Sequence, residues 1–228
     1  MKGRVLIIAG SDCGGGAGIQ ADIKAVTALN AYAMTAITAL TVQDTTGVHG
    51  VFPAPVEIIE AQARVVLADI GADAVKTGML GTVEVVEAVA RLLDEADAPA
   101  VVDPVMVAKG GHALLPDEAV SAVRGLMLPR AALVTPNAPE AEALTGLEVR
   151  DLDGQRRAAE RLLKLGARAA LVKGGHVEGD TVVDVLLTAR GETLLEGPRI
   201  DTAATHGTGC TLASACAAGI AQGLPVEQ

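Results

Sequence analysis

The chain alternates between short aliphatic runs and longer stretches in which apolar residues recur every three to four positions. Val5 to Ala9 is the first run, followed by Gly10-Ser11-Asp12-Cys13-Gly14-Gly15-Gly16 and then by Ala17 to Leu29 with helical spacing. This order predicts strand, glycine loop and helix. The rhythm continues with predicted strands at Thr35 to Val42, Ala74 to Thr77, Ala100 to Val105, Ala132 to Thr135 and Ala169 to Lys173. Between them the spacing predicts helices at Val56 to Ile70, Val83 to Asp94, Asp117 to Met127 and Gln155 to Leu165. Val182 to Leu187 and Thr193 to Leu195 predict a strand pair, and the small-residue segment Leu212 to Ala221 a closely packed helix. Strands that are apolar at successive positions need cover on both faces. The pattern therefore predicts an α/β fold, a three-layer sandwich whose central sheet is mostly parallel with helices on both faces. No repeat, low-complexity tract or linker divides the 228 residues, which read as one domain.

In such a sheet, ligands bind beyond the carboxyl ends of the strands. Polar and glycine residues gather there: Gly10-Ser11-Asp12, Gln43-Asp44, Gly78-Met79, Asp103-Pro104, Pro136-Asn137 and Lys173-Gly174-Gly175-His176. Each could merely end a strand, but together they place mixed chemistry along one edge. Composition narrows that chemistry. With 18 basic against 28 acidic residues the net charge is −10, which argues against nonspecific nucleic-acid or anionic-membrane binding. One Tyr, one Phe and no Trp leave little for aromatic stacking platforms. No apolar run reaches the length of a membrane span or a secretory leader, so a cytoplasmic location is expected. Three cysteines, Cys13, Cys210 and Cys216, without a CxxC pair suggest neither a disulfide framework nor a zinc site. Cys216 is expected in the core.

The glycine loop fails the dinucleotide pattern G-x-G-x-x-G, because Gly14 and Gly16 are followed at the last position by Ile19. No phosphate-binding G-x-x-x-x-G-K-[ST] occurs either. The strongest local signal is Thr205-His206-Gly207-Thr208-Gly209-Cys210-Thr211 leading into a helix. Glycines there can turn N–H groups toward one point at a helix N-terminus, a site for phosphoryl oxygens. Cys210 would feel the positive helix end, with a lowered thiol pKa, or else be a small buried residue of a glycine turn.

Those blocks, with Gly15-Gly16-Ala17-Gly18-Ile19-Gln20-Ala21-Asp22-Ile23-Lys24, Thr38 to Gln43, Lys76 to Leu80, Asp103 to Met106, Thr135 to Glu140 and Val172 to His176, resemble the hydroxymethylpyrimidine and phosphomethylpyrimidine kinases of thiamine biosynthesis, a branch of the ribokinase-like superfamily. The resemblance spans essentially the whole chain. It implies a ribokinase-like kinase domain over residues 1–228 that lacks the C-terminal helices which wall the nucleotide site in relatives. It also implies a homodimer, ATP and Mg²⁺, and two phosphorylations, of an aminopyrimidine alcohol and then of its monophosphate.

By the same resemblance Gln43 reads the ring, and Gly10, Asp22, Met79 and Val105 line the substrate pocket. An amide suits an aminopyrimidine because it both donates and accepts. Gly207, Gly209 and Cys210 form the anion hole, with Cys210 as candidate base, and Lys173, Asn137 and Thr208 face the nucleotide. Glu140 and Asp103 are implied at the metal, although Asn137 could instead cap a helix and Asp103 shape a turn. Asp22 could equally be an exposed helix residue, and His206 a support for its loop. Two further readings are a pyridoxal or pyridoxine kinase and a weakly catalytic nucleotide- or pyrimidine-binding module.

Overall fold

A computed structural model describes residues 2–106, 117–202 and 204–228. The chain runs β1 (Arg4–Asp12), α1 (Gly18–Ala28), β2 (Tyr32–Gln43), β3 (Val48–Pro53), α2 (Val56–Asp69), β4 (Ala74–Thr77), α3 (Val83–Ala96) and β5 (Ala100–Val102). From residue 117 it continues with α4 (Asp117–Ala122), β6 (Ala131–Val134), α5 (Ala138–Thr145), α6 (Leu152–Lys164), β7 (Ala169–Val172), β8 (Thr181–Thr188), β9 (Gly191–Pro198) and α7 (Thr208–Ala221). Among the described residues nine strands form one sheet in the order β3-β2-β1-β4-β5-β6-β7-β8-β9. β2-β1-β4-β5-β6-β7 pair in parallel, while β3 joins β2, and β8 and β9 extend the other edge, antiparallel.

Side-chain alternation along β1 explains the three layers. Leu6 and Ile8 enter a core shared with α2 to α6, whereas Val5, Ile7 and Ala9 enter a second core under α1 and α7. All five are buried, so the strand is apolar at every position rather than at alternate ones. The chain leaves β1 toward β2 and returns on its other side at β4. The crevice between β1 and β4 is thus the point where strand order reverses.

Several boundaries differ from the pattern. β5 ends at Val102: Asp103 N–H still makes a ladder bond to Thr77 O, but Pro104 follows and Val105 N–H turns back to Asp103 O. β3 was unpredicted: its Val48-His49-Gly50-Val51-Phe52-Pro53 pairs only on one side and so needs no apolar alternation. The stretch expected as one helix from Asp117 to Met127 is α4 followed by a π-turn, Val123–Met127, and a 3₁₀ turn, Leu128–Arg130, where Pro129 cannot donate. α7 starts four residues before Leu212, at Thr208.

Candidate active site

The glycine loop after β1 is organised by a carboxylate. Asp12, buried, accepts N–H bonds from Gly14 (2.8 Å), Gly16 (3.1 Å) and Ala17 (2.8 Å), and its Oδ2 lies 2.8 Å from His206 Nε2. Burial alone would push Asp12 up, but His206 and the backbone donors outweigh it and hold the carboxyl below its ordinary range. His206 therefore supports its loop, as expected. Its neighbour Gly207 caps α7 at φ +80°, and a side chain there would overlap the Gly16 carbonyl. Only glycine lets the two loops touch in this conformation. The clamp sets the first turn of α7 beside the strand edge, with Gly209 next to Lys173.

Lys173, Asp103 and Glu140 converge beside that helix end. The Lys173 ammonium is 3.6 Å from Asp103 and 4.0 Å from Glu140, and a Cβ on Gly209 would lie 3.2 Å from Lys173 Nζ and 3.9 Å from Asp103 Oδ2. Thr135 Oγ1 donates to Asp103 at 3.3 Å. Glu140 is buried; desolvation raises its carboxyl to about 7 against the pull of Lys173, and nearby Asp103 adds to the rise. Asn137 does cap a helix: its Oδ1 accepts Glu140 N–H (2.9 Å) while Glu140 accepts Asn137 N–H (2.8 Å), a reciprocal capping box. The cap occupies the Asn137 carbonyl oxygen and fixes Glu140 toward Lys173.

This proton affinity has a measurable consequence. A carboxyl whose folded pKa lies above its unfolded value stabilises the fold fully at low pH and loses that contribution as pH rises to the folded pKa. In EDTA, the stability of the parent relative to Glu140→Gln should fall between about pH 4.5 and 7, by on the order of a few kcal/mol. Urea unfolding at several pH values reads it; parallel curves for the two proteins would refute the assignment.

At the other end of the edge, Gly10 and Met79 touch, for a Cβ on Gly10 would come 2.6 Å from the Met79 methyl. Thr38, buried, fixes Met79 by donating to its carbonyl at 2.6 Å. Gln43 ends β2 half-buried, and its Oε1 accepts from Thr41 Oγ1 at 3.0 Å. Thr41 Oγ1 is equally close to Ser11 O, at 3.0 Å, so its one proton serves both carbonyls and the Gln43 amide keeps its N–H₂ and a free lone pair. Cys13, exposed, lies against the Gln43 backbone, 3.2 Å from its carbonyl oxygen. Val105 follows Asp103 and lines, with Thr77, Gly78 and Asp103, a cavity of about 10 Å³. Thr208 is exposed and donates to Thr205 O at 3.0 Å.

Asp22 is not an exposed helix residue. It is wholly buried, bonded by both oxygens to Lys76 Nζ (2.9 and 3.0 Å) and by Oδ1 to Ser214 (2.7 Å). The lowered Cys210 pKa expected from the helix end is also corrected. Burial pushes the thiol up, Lys76 only partly offsets this, and Asp103 and Asp22 push further, against an N–H bond from Gly18. Cys216 is half-buried against the second core and borders a cavity of about 300 Å³ with Leu133 and Ile220. Sequence reasoning assigned no role to Lys76 or Ser214. The available signal for Lys76 was a lysine inside the short strand Ala74–Thr77, whose four positions are all buried.

The sequence model of the family described as phosphomethylpyrimidine kinase matches residues 12–228. The chain belongs to this kinase family. It is 54% identical over 222 residues to the hydroxymethylpyrimidine/phosphomethylpyrimidine kinase of Streptomyces coelicolor, covering 97% of this chain and 82% of that one. The Bacillus subtilis kinase of the same name is 49% identical over 227 residues, 99% of this chain and 84% of its own. Among solved structures, the phosphomethylpyrimidine kinase of Clostridium difficile superposes with a TM-score of 0.88 at 38% identity, covering 99% of this chain and 94% of that chain. An ADP complex of Bacillus subtilis pyridoxal kinase superposes at 0.93 with 40% identity, covering 100% and 87%. The expected kinase family and its mostly parallel, helix-covered sheet are thus borne out. No helix among the described residues is long and apolar enough to cross a membrane.

Proposed function

We propose that the chain transfers the γ-phosphoryl group of ATP to the hydroxymethyl oxygen of 4-amino-5-hydroxymethyl-2-methylpyrimidine, and then a second phosphoryl group to the resulting monophosphate. The observation that carries this reading is the convergence of the α7 N-terminus with Lys173, Asp103 and Glu140 on the strand edge that also holds Gly10, Met79 and Gln43. Helix N–H groups and an ammonium suit the equatorial oxygens of a phosphoryl group in flight. The Gln43 amide N–H₂ donates to a ring nitrogen while its free lone pair accepts from the exocyclic amine. Gly10 admits the ring to the backbone and Met79 walls it.

In the in-line step the acceptor oxygen bonds to phosphorus as the bond to the β,γ-bridging oxygen breaks, with its electron pair leaving on ADP. A loose transition state needs little prior deprotonation. The acceptor proton leaves late, to a phosphoryl oxygen, and Cys210, a neutral thiol, orients the alcohol rather than taking its proton at rest. Among the described residues no cluster of three His, Cys, Asp or Glu could cage an ion. Asp103 and Glu140 instead fit a hydrated Mg²⁺ held mainly by the nucleotide, whose charge would neutralise the phosphates. Lys173 and the α7 N–H groups orient the phosphates, with Thr208 and Asn137 at the nucleotide side.

The partner in solution is a second copy of this chain. Leu40 and Val42 of β2 and Phe52 of β3 are 56%, 49% and 63% exposed on the sheet-edge hairpin, with Leu40 opposite Phe52 in the register. Such a cross-strand apolar face is suited to burial against its own copy.

A second reading, pyridoxal phosphorylation, is favoured by the likeness to the Bacillus subtilis pyridoxal kinase structure. ADP release by the purified chain, with Mg²⁺ and each acceptor in turn, separates the two. Turnover with the pyrimidine alcohol above that with pyridoxal is expected; the reverse order would move the assignment. Gln43→Leu should raise KM for the pyrimidine by about 10-fold or more, with a smaller change in kcat, because polar ring atoms lose their partners. An unchanged KM would remove Gln43 from the pocket.

A further inference from the structure

Beneath the first turn of α7 lies an ionic cluster in which Asp22 alone carries an assigned role, as a residue of the substrate pocket, while Lys76 and Ser214 carry none. Lys76 on β4 is wholly buried, and two of its hydrogen bonds go to Asp22 of α1. Asp22 also accepts from Ser214, which lies one helical turn after Cys210 on α7. The cluster thus ties three elements, β4, α1 and α7, at the level of Cys210. A lysine in an apolar layer is costly, and an Asp–Lys pair alone can usually be replaced by packed apolar groups without loss of stability. What distinguishes this pair is its position. The charged groups that act on the Cys210 sulfur are Lys76 from the sheet and the carboxylates of Asp22 on α1 and Asp103 after β5, while Gly18 N–H faces it from the glycine loop.

We propose that Lys76 is a positioning residue whose buried ammonium, aimed by Asp22 and Ser214, sets the charge that Cys210 can carry at the acceptor end of the anion hole. Burial would drive Lys76 toward its neutral form, but the ion pair with Asp22 and the nearby Asp103 carboxylate outweigh it and hold the ammonium charged. Without that cation, two carboxylates would face the sulfur and the incoming alcohol oxygen from below. Any negative charge developing there would be opposed. With it, Asp22 is neutralised in place and Cys210 retains one nearby positive group. The inference rests on the assignment of Cys210 to the acceptor hydroxyl, but its test needs no substrate.

The test uses a Cys13→Ser, Cys216→Ala background, in which Cys210 is the one remaining thiol of three. Its alkylation rate by iodoacetamide at pH 8 is followed by mass spectrometry, since only the thiolate reacts. Asp22→Asn removes the competing carboxylate while keeping a side chain of the same shape, and Lys76 then pairs with the sulfur. Alkylation should accelerate by about 10-fold, the equivalent of one pKa unit. The double variant Lys76→Met, Asp22→Asn removes both charges together, which spares the fold an unpaired buried ion. It should alkylate about threefold more slowly than the background, because the lost cation acts on the sulfur more strongly than the lost carboxylate.

A purely structural pair gives a different result, since both variants would loosen α7 and speed alkylation alike. Slower alkylation in Asp22→Asn, or faster alkylation in the double variant, would overturn the proposal. Each variant is judged against the background alone, so either suffices. A normal alkylation order with unchanged turnover in Cys210→Ala would instead leave the charge assignment intact and remove Cys210 from the reaction.

Discussion

Gly209→Val should lower kcat for ADP release by at least about 10²-fold in a protein that remains folded. The reason is local. A Cβ at this position lies 3.2 Å from the Lys173 ammonium and 3.9 Å from Asp103, and both neighbours are side-chain ends, not backbone. The first yields by moving away, so the cost falls on geometry before stability. Valine adds two methyl groups that occupy the space between the α7 N–H donors and Lys173, where the phosphoryl oxygens would sit. Its intrinsic helix penalty against alanine is only about 0.6 kcal/mol, too little to unfold the chain. Gly209→Ala, with one carbon that the lysine tip can accommodate, should lose only a few-fold. Steady-state kinetics beside a thermal melt distinguishes the cases. A folded valine variant with the parent's kcat would remove Gly209 from the anion hole.

How far this site can be read from the sequence depends on the distance over which each residue acts. β1, α1, β4 and β7 follow from periodicity because their side chains bury on the spot, and Val5 to Ala9 shows it at every position. β3 escapes because an edge strand with Phe52 exposed carries no core pattern. The glycines of Gly207-Thr208-Gly209 are visible as a motif. The partner that makes them necessary, the Gly16 carbonyl, comes from a loop some 190 residues earlier, a relation periodicity does not encode.

The same limit explains Asp12 and Asp22. By spacing alone each reads as an ordinary turn or helix acid, and the family resemblance adds only that Asp22 lies at the substrate pocket. Their roles appear only once His206 and Ser214 arrive from α7 and its preceding loop. For Cys210 the local argument gave the wrong sign. A helix N-terminus lowers a thiol pKa, yet burial beside Asp103 and Asp22 overrides it. Motif reasoning located that residue and missed its electrostatics.

Lys173→Met should cost kcat about 10²- to 10³-fold, the usual loss when one charged donor to the transferred group is removed. It should also move a proton. Lys173 is the group that pulls the Glu140 carboxyl down, and even with it that carboxyl rests at about 7. Without the ammonium, Asp103 and Glu140 are left as neighbouring buried acids with no cation between them, and Glu140 becomes neutral through physiological pH. Unfolding of the variant should therefore show a stability that falls with rising pH over a range reaching further above 7 than the parent's.

Combining the change with Glu140→Gln removes that pH dependence and part of the stability loss, because the amide keeps the capping bond to Asn137 N–H without a charge. Activity should not return with it. If kcat in the double variant recovered to within a few-fold of the parent, Lys173 would be a counter-ion for Glu140 and no more. If stability recovers while kcat stays well below that of Glu140→Gln alone, the ammonium acts on the phosphoryl group itself. The 3.2 Å gap between Lys173 Nζ and the Gly209 Cβ position favours the second outcome, because it places the cation against the helix end and not only against the carboxylates.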